Sequence, residues 1–139
     1  MEQNYFEEAR KIERKIVERK GQIDSLTAQI QSLADENVKD GHLLYDLLLI
    51  AAKETRKIVL QNGLECPETY GRTGLFNVAM KTYFQGNLTA DLTVSPAGIL
   101  THVWYTDHEG RTKYTEHMTD MNGLPDILKT VERKIKIKL

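Results

Sequence analysis

The sequence predicts an α+β fold: a long N-terminal coiled-coil helix, then a four-stranded antiparallel meander packed by a C-terminal helix. Three observations carry this. Apolar residues recur on a 3-4 spacing through the first forty residues. From residue 75 to 119 the period changes to two, in four runs separated by turn residues. After Asn122, the expected N-cap, the residues Leu124, Ile127, Leu128, Val131 and Ile135 fall on one helical face.

The N-terminal segment is densely charged and nearly free of helix breakers. With Ala9, Ile16, Ile23 and Ile30 at a, the d positions hold Ile12, Leu26 and Leu33. Isoleucine at a with leucine at d is the preference of a two-stranded coiled coil, and Asn37 at the next a position is a residue type that fixes register. Residues 1–40 are therefore read as an oligomerisation segment, with Ile12, Ile16, Ile23, Leu26, Ile30, Leu33 and Asn37 at the seam. Arg19 and Asp40 interrupt it at d. In a parallel homodimer Glu8 would face Glu13 and Lys15 would face Lys20, at a few tenths of a kcal/mol each when exposed. Both helix orientations stay open.

Asp40-Gly41 is the one weak point, where an αα-hairpin turn is the alternative to a single helix. The heptad continues in register beyond it through Leu44, Leu47, Ala51 and Ile58, which favours one helix weakened near Gly41. Residues 43–52 (LLYDLLLIAA) are apolar on almost every face, so residues 41–63 read as a connecting helix that packs on a globular domain at 64–139. Gly63 is the expected stop.

Residues 64–74 (LECPETYGRTG) read as a loop, and "GRTG" as a structural turn, because no Lys-Ser/Thr ending or helix follows. The strand segments are 75–84, 88–95, 99–107 and 112–119, joined at Gln85-Gly86-Asn87, Pro96-Ala97-Gly98 and Glu109-Gly110. Matching the apolar alternation pairs Lys81 with Asp91, and Asp91 with His102. A two-residue Glu109-Gly110 turn would pair His102 with His117 and Tyr105 with Tyr114. One face then carries Phe76, Val78, Met80, Phe84, Leu88, Leu92, Val94, Ile99, Val103, Tyr105, Tyr114 and Met118, and is the expected core. The other carries Lys81, Asp91, His102, Trp104, Lys113 and His117.

Two histidines and a carboxylate can hold a metal with open positions, so Asp91, His102 and His117 are the candidate ligands and the basis for a metal-dependent hydrolase as the remotest alternative. A polar solvent face is the commoner cause of such a row, and no metal or other cofactor is assigned. Trp104 marks a contact surface, unless helix 43–62 covers it or the face is a dimer interface. With Arg72 and Tyr70 of the neighbouring loop, His102, Trp104, Lys113 and His117 form the candidate partner- or ligand-binding set.

Composition excludes several classes. At 40% hydrophobic and 28% charged, with a net charge of −1, the 139-residue chain reads as folded, with no global pull toward nucleic acid or anionic membrane. Its basic clusters, including Lys136 and Lys138 at the end, read as solvated helix faces. A single cysteine, Cys66, allows neither a disulfide framework nor a CxxC zinc site, and flanking Glu65 and Glu68 disfavour a reactive thiolate. No N-terminal apolar leader and no membrane-length run is visible, so a cytoplasmic location is expected and the sequon at Asn87 is a chance match. No motif has catalytic spacing. The expectation is a non-enzymatic homo-oligomeric adaptor whose helix self-associates and whose head binds a protein partner. A nucleotide-like small-ligand binder is the alternative.

Overall fold

The computed structural model describes residues 4–74, 76–84, 88–107 and 109–136, with the side chain of Lys136 left aside. The Gln85-Gly86-Asn87 turn, His108 and Lys138 lie outside the described residues. The chain divides into two compact units, Met1–Asp40 and Gly41–Leu139.

Helix α1 spans Tyr5–Gln61, 57 residues. The side chain of Asn4 caps its start by accepting from the Glu7 amide at 3.0 Å, and Glu7 and Glu8 complement the dipole of the first turn. It stops where expected. Gly63 takes φ 78°, the Leu64 amide donates to the Val59 carbonyl, and the Gly63 amide donates to the Leu60 carbonyl. That is the paired closure of a Schellman cap. Asp40-Gly41 forms no hairpin turn; one glycine in a helix interior costs only about 1 kcal/mol.

Five strands, not four, make one antiparallel sheet in the order β1-β2-β3-β4-β5. They are β1 (Gly71–Arg72), β2 (Val78–Tyr83), β3 (Thr89–Ser95), β4 (Gly98–Thr106) and β5 (Thr112–Thr119). The added strand is the "GR" of the stretch read as a turn, with Gly71 opposite Ala79 and Arg72 opposite Val78. Two residues are too few to show alternation. Helix α2 (Leu124–Lys136) follows.

The first two hairpins have the expected registers, Lys81 opposite Asp91 and Asp91 opposite His102. The last is slipped by one: His102 faces Glu116, Trp104 faces Tyr114, and His117 faces Thr101. The cause is the loop. Asp107, not His108, pairs with Arg111, its amide donating to the Arg111 carbonyl at 2.9 Å. The Asp107 carboxylate accepts from the amides of Glu109 and Arg111, and Gly110 takes φ 81°. This is a three-residue connection ending on a left-handed glycine rather than a two-residue turn.

One face of the sheet is the core. Val78, Met80, Ala90, Leu92, Val94, Ile99 and Val103 are buried with Leu48, Ala52 and Val59 of α1 and Leu124, Leu128, Val131 and Ile135 of α2. Leu88, Tyr105 and Ile127 are partly buried against it. Three residues expected inside are not. Phe76 precedes β2 and is 50% exposed, while Tyr114 and Met118 are turned outward by the slipped register. The start of α2 also differs from the Asn122 cap. Asp120 accepts from the Gly123 amide, and Gly123 supplies the carbonyl for Ile127. At the β3–β4 turn, a Cβ on Gly98 would lie 2.6 Å from the Thr119 carbonyl oxygen, at φ 132°, so only glycine fits.

Candidate functional site: the open face of the sheet

On the face opposite the core Trp104 is 66% exposed, and among the described residues of the 41–139 unit α1 lies on the core side, through Leu48, Ala52 and Val59. Two rows of side chains cross this face. The first is Lys81, Asp91, His102 and Glu116, cross-strand neighbours in sequence of strands. The second contains Trp104 and Tyr114, whose rings meet at 4.7 Å and 46°. Tyr114 also approaches His102, at 6.3 Å between centroids. Such tilted contacts place ring edges against ring faces, which stiffens the cluster.

Tyr114 donates its hydroxyl to Glu116 Oε2 at 2.9 Å. Its phenol is pushed above the ordinary value of 10.0, first by partial desolvation, then by the bond to Glu116 and the charges of Glu116 and Asp91. Lys81 and Asp91 face each other across the strands, yet no ion pair joins them among the described residues. Asp91, half-buried, has no hydrogen-bond or ion-pair partner among the described residues.

Beside the first row lies a concavity of about 610 Å³ whose floor includes Ala79, Lys81, Tyr83, Asp91, Thr93 and His102. Pro67, Thr69, Gly71 and Thr73 form its wall. That wall is pinned. Arg56 Nε donates to the Cys66 carbonyl at 2.7 Å, and Thr82 Oγ1 and the Tyr83 amide both donate to the Glu65 carbonyl. The volume suits a small ligand or a partner side chain, and polar groups converge on it from three strands.

The sequence-derived binding set is divided by the register. His102 and Trp104 stand on the open face; Lys113 and His117 stand on the opposite one, where His117 Nε2 lies 3.1 Å from Thr115 Oγ1. Lys134 of α2 donates to the same Thr115 hydroxyl. Arg72, on β1, places its guanidinium 4.9 Å over the Tyr45 ring. Tyr70 is partly buried against the core, and burial with the nearby Glu68 charge raises its phenol. Asp91 and His102 are neighbours, but His117 is on the other side of the sheet, so the three do not converge. Among the described residues no group of three or more His, Cys, Asp or Glu is placed to hold a metal ion. Cys66 is buried, and burial raises its thiol above the ordinary 9.0 against the opposing pull of Arg56.

Sequence reasoning misses Glu116 and assigns Tyr114 to the core, and it does not single out Tyr83, Thr69 or Thr73. The signal for the first two was available in Asp107-x-x-Gly110, where an Asx-type carboxylate precedes a glycine by three residues. No described helix is long and apolar enough to cross a membrane. No protein-family model, no curated protein and no solved structure matches this chain.

Proposed function

We propose that this chain is a non-enzymatic, homo-oligomeric interaction protein. The N-terminal part of α1 pairs with further copies of itself, and the open sheet face of the 41–139 unit receives a protein partner. One observation carries the first half. In the single chain, Ile12, Ile16, Ile23, Leu26, Ile30 and Leu33 are each 56% to 67% exposed, on heptad spacing. Leaving them in water forfeits roughly 1–2 kcal/mol apiece, which a second helix recovers. Asn37 sits on the same seam. The second half is supported by Trp104, an exposed residue of the type that dominates binding hot spots.

Sedimentation of the full chain at micromolar concentration tests the stalk. A defined oligomer is expected, and the double substitution Ile23→Asp and Ile30→Asp returns it to monomer with its sheet intact by circular dichroism. A wild-type monomer under these conditions ends the proposal. The concavity beside Lys81 and Asp91 favours a second reading, a small-ligand-binding oligomer. A nucleotide and metabolite panel that leaves Trp104 fluorescence unchanged removes it.

A further inference from the structure

We infer that the open face takes an arginine side chain from an extended partner segment, laid on Trp104 and Tyr114 beside the row that holds the carboxylates of Asp91 and Glu116. This rests on the reading of that face as a partner-docking surface and gives the partner a chemistry. Trp104 and Tyr114 are 66% and 42% exposed, and the ring pair is already fixed by mutual contact. A guanidinium is planar, weakly hydrated and attracted to an aromatic face, with tryptophan the strongest such partner.

The two carboxylates stand in the adjacent row, two residues along the strands from this platform. There Asp91 and Glu116 flank His102 on either side, one strand away in each direction. Among the described residues Asp91 has no hydrogen-bond or ion-pair partner, and Glu116 accepts the Tyr114 hydroxyl at Oε2. A half-buried carboxylate without a partner forgoes the charge-assisted bonds it is able to make, and an arginine fork supplies two. Lys81 lies on this face beyond Asp91, at the far end of the row. From Lys81 to Glu116 the row spans three strand spacings, about 14 Å, which an extended chain covers in about four residues. The face thus suits a segment with arginine at one end and an acidic residue about four positions away.

Trp104 is the sole tryptophan, so its emission reads occupancy in the full-length chain. The probe is acetyl-Arg-Gly-Gly-Gly-Glu-amide, and its control carries neutral citrulline in place of arginine. A saturable change with the arginine peptide is expected, weakened about tenfold by citrulline and severalfold by Asp91→Asn or Glu116→Gln. Equal response to both peptides, or none to the arginine peptide at millimolar concentration, overturns the inference. A parallel capture from cell extract with wild-type and Trp104→Ala chains separates the two levels. Trp104-dependent capture without peptide binding sinks the arginine assignment and leaves the docking surface. Loss of both sinks the docking surface as well.

Discussion

Helix α1 contains two stretches built on the same 3-4 apolar spacing, with opposite fates. Between residues 5 and 40 no residue is buried, though isoleucine and leucine recur throughout. Between 41 and 61, Leu48, Ala52, Thr55 and Val59 form a fully covered face. The difference is not in the helix. The second stretch has a sheet to cover it, and in the first every described residue is exposed. On the later stretch Leu43, Leu47 and Ile50 stay exposed, so even there one apolar side is used and another is not. Periodicity fixes which residues share a side and is silent on what lies against them.

The sharpest way to break this contrast is to shorten one leucine in each stretch. Leu48→Ala, at a site 6% exposed, is expected to lower the unfolding free energy of the 41–139 unit by about 2–5 kcal/mol in urea titrations. Leu33→Ala is expected to leave that transition within about 0.5 kcal/mol and to act on association alone. Comparable losses from both would show that the two stretches stabilise one structure. Next in size is the hairpin that decides which side chains of β5 are covered. Asp107→Ala removes acceptors for two amides and is expected to cost about 1–2 kcal/mol. Cross-strand contacts by nuclear magnetic resonance should still pair Trp104 with Tyr114; a Trp104–Thr115 pairing would mean the aspartate alone sets the register.

Covered surface also contains a misfit. Thr101 is fully buried in the core layer and its Oγ1 has no hydrogen-bond partner among the described residues. Thr101→Val keeps the shape, removes the orphan, and is expected to raise stability by about 1 kcal/mol. A loss would point to a partner for that hydroxyl in solution. The smallest effect belongs to Cys66. Because burial raises its thiol above 9.0, the folded thiol stays protonated while the unfolded one ionises. Its contribution to stability is therefore complete below about pH 9 and declines as pH rises toward the folded value. Alkylation at neutral pH should be slow in the native protein and fast in denaturant; fast native alkylation would refute the burial.

Much of this architecture is legible in the sequence where two apolar patterns constrain each other. The β2–β3 and β3–β4 registers follow because both strands of each pair alternate strongly, so a slip would expose a whole row. Strand β5 does not constrain in that way. Its two sides are Tyr114, Glu116 and Met118 against Lys113, Thr115 and His117, and the more apolar set is the one that faces water. Tyr114 is retained there by Trp104 and Glu116 rather than by the core. Strand β1 escapes notice because two residues carry no period. The candidate site suffers from the same slip. His102 and Trp104 were readable, but their true neighbours Glu116 and Tyr114 sit where parity from the wrong turn put Thr115 and His117.

The Asp107–Arg111 connection also sets the chemistry of the open face by the pair on which it closes. A turn closed on Glu109-Gly110 alone would slip β5 by one residue and rotate it half a turn about its axis. Tyr114, Glu116 and Met118 would give way to Lys113, Thr115 and His117. The edge of the surface would lose its aromatic ring and exchange a carboxylate for an amine and an imidazole. The closing pair of this one turn thus outweighs any one substitution on the face in deciding what the surface recognises.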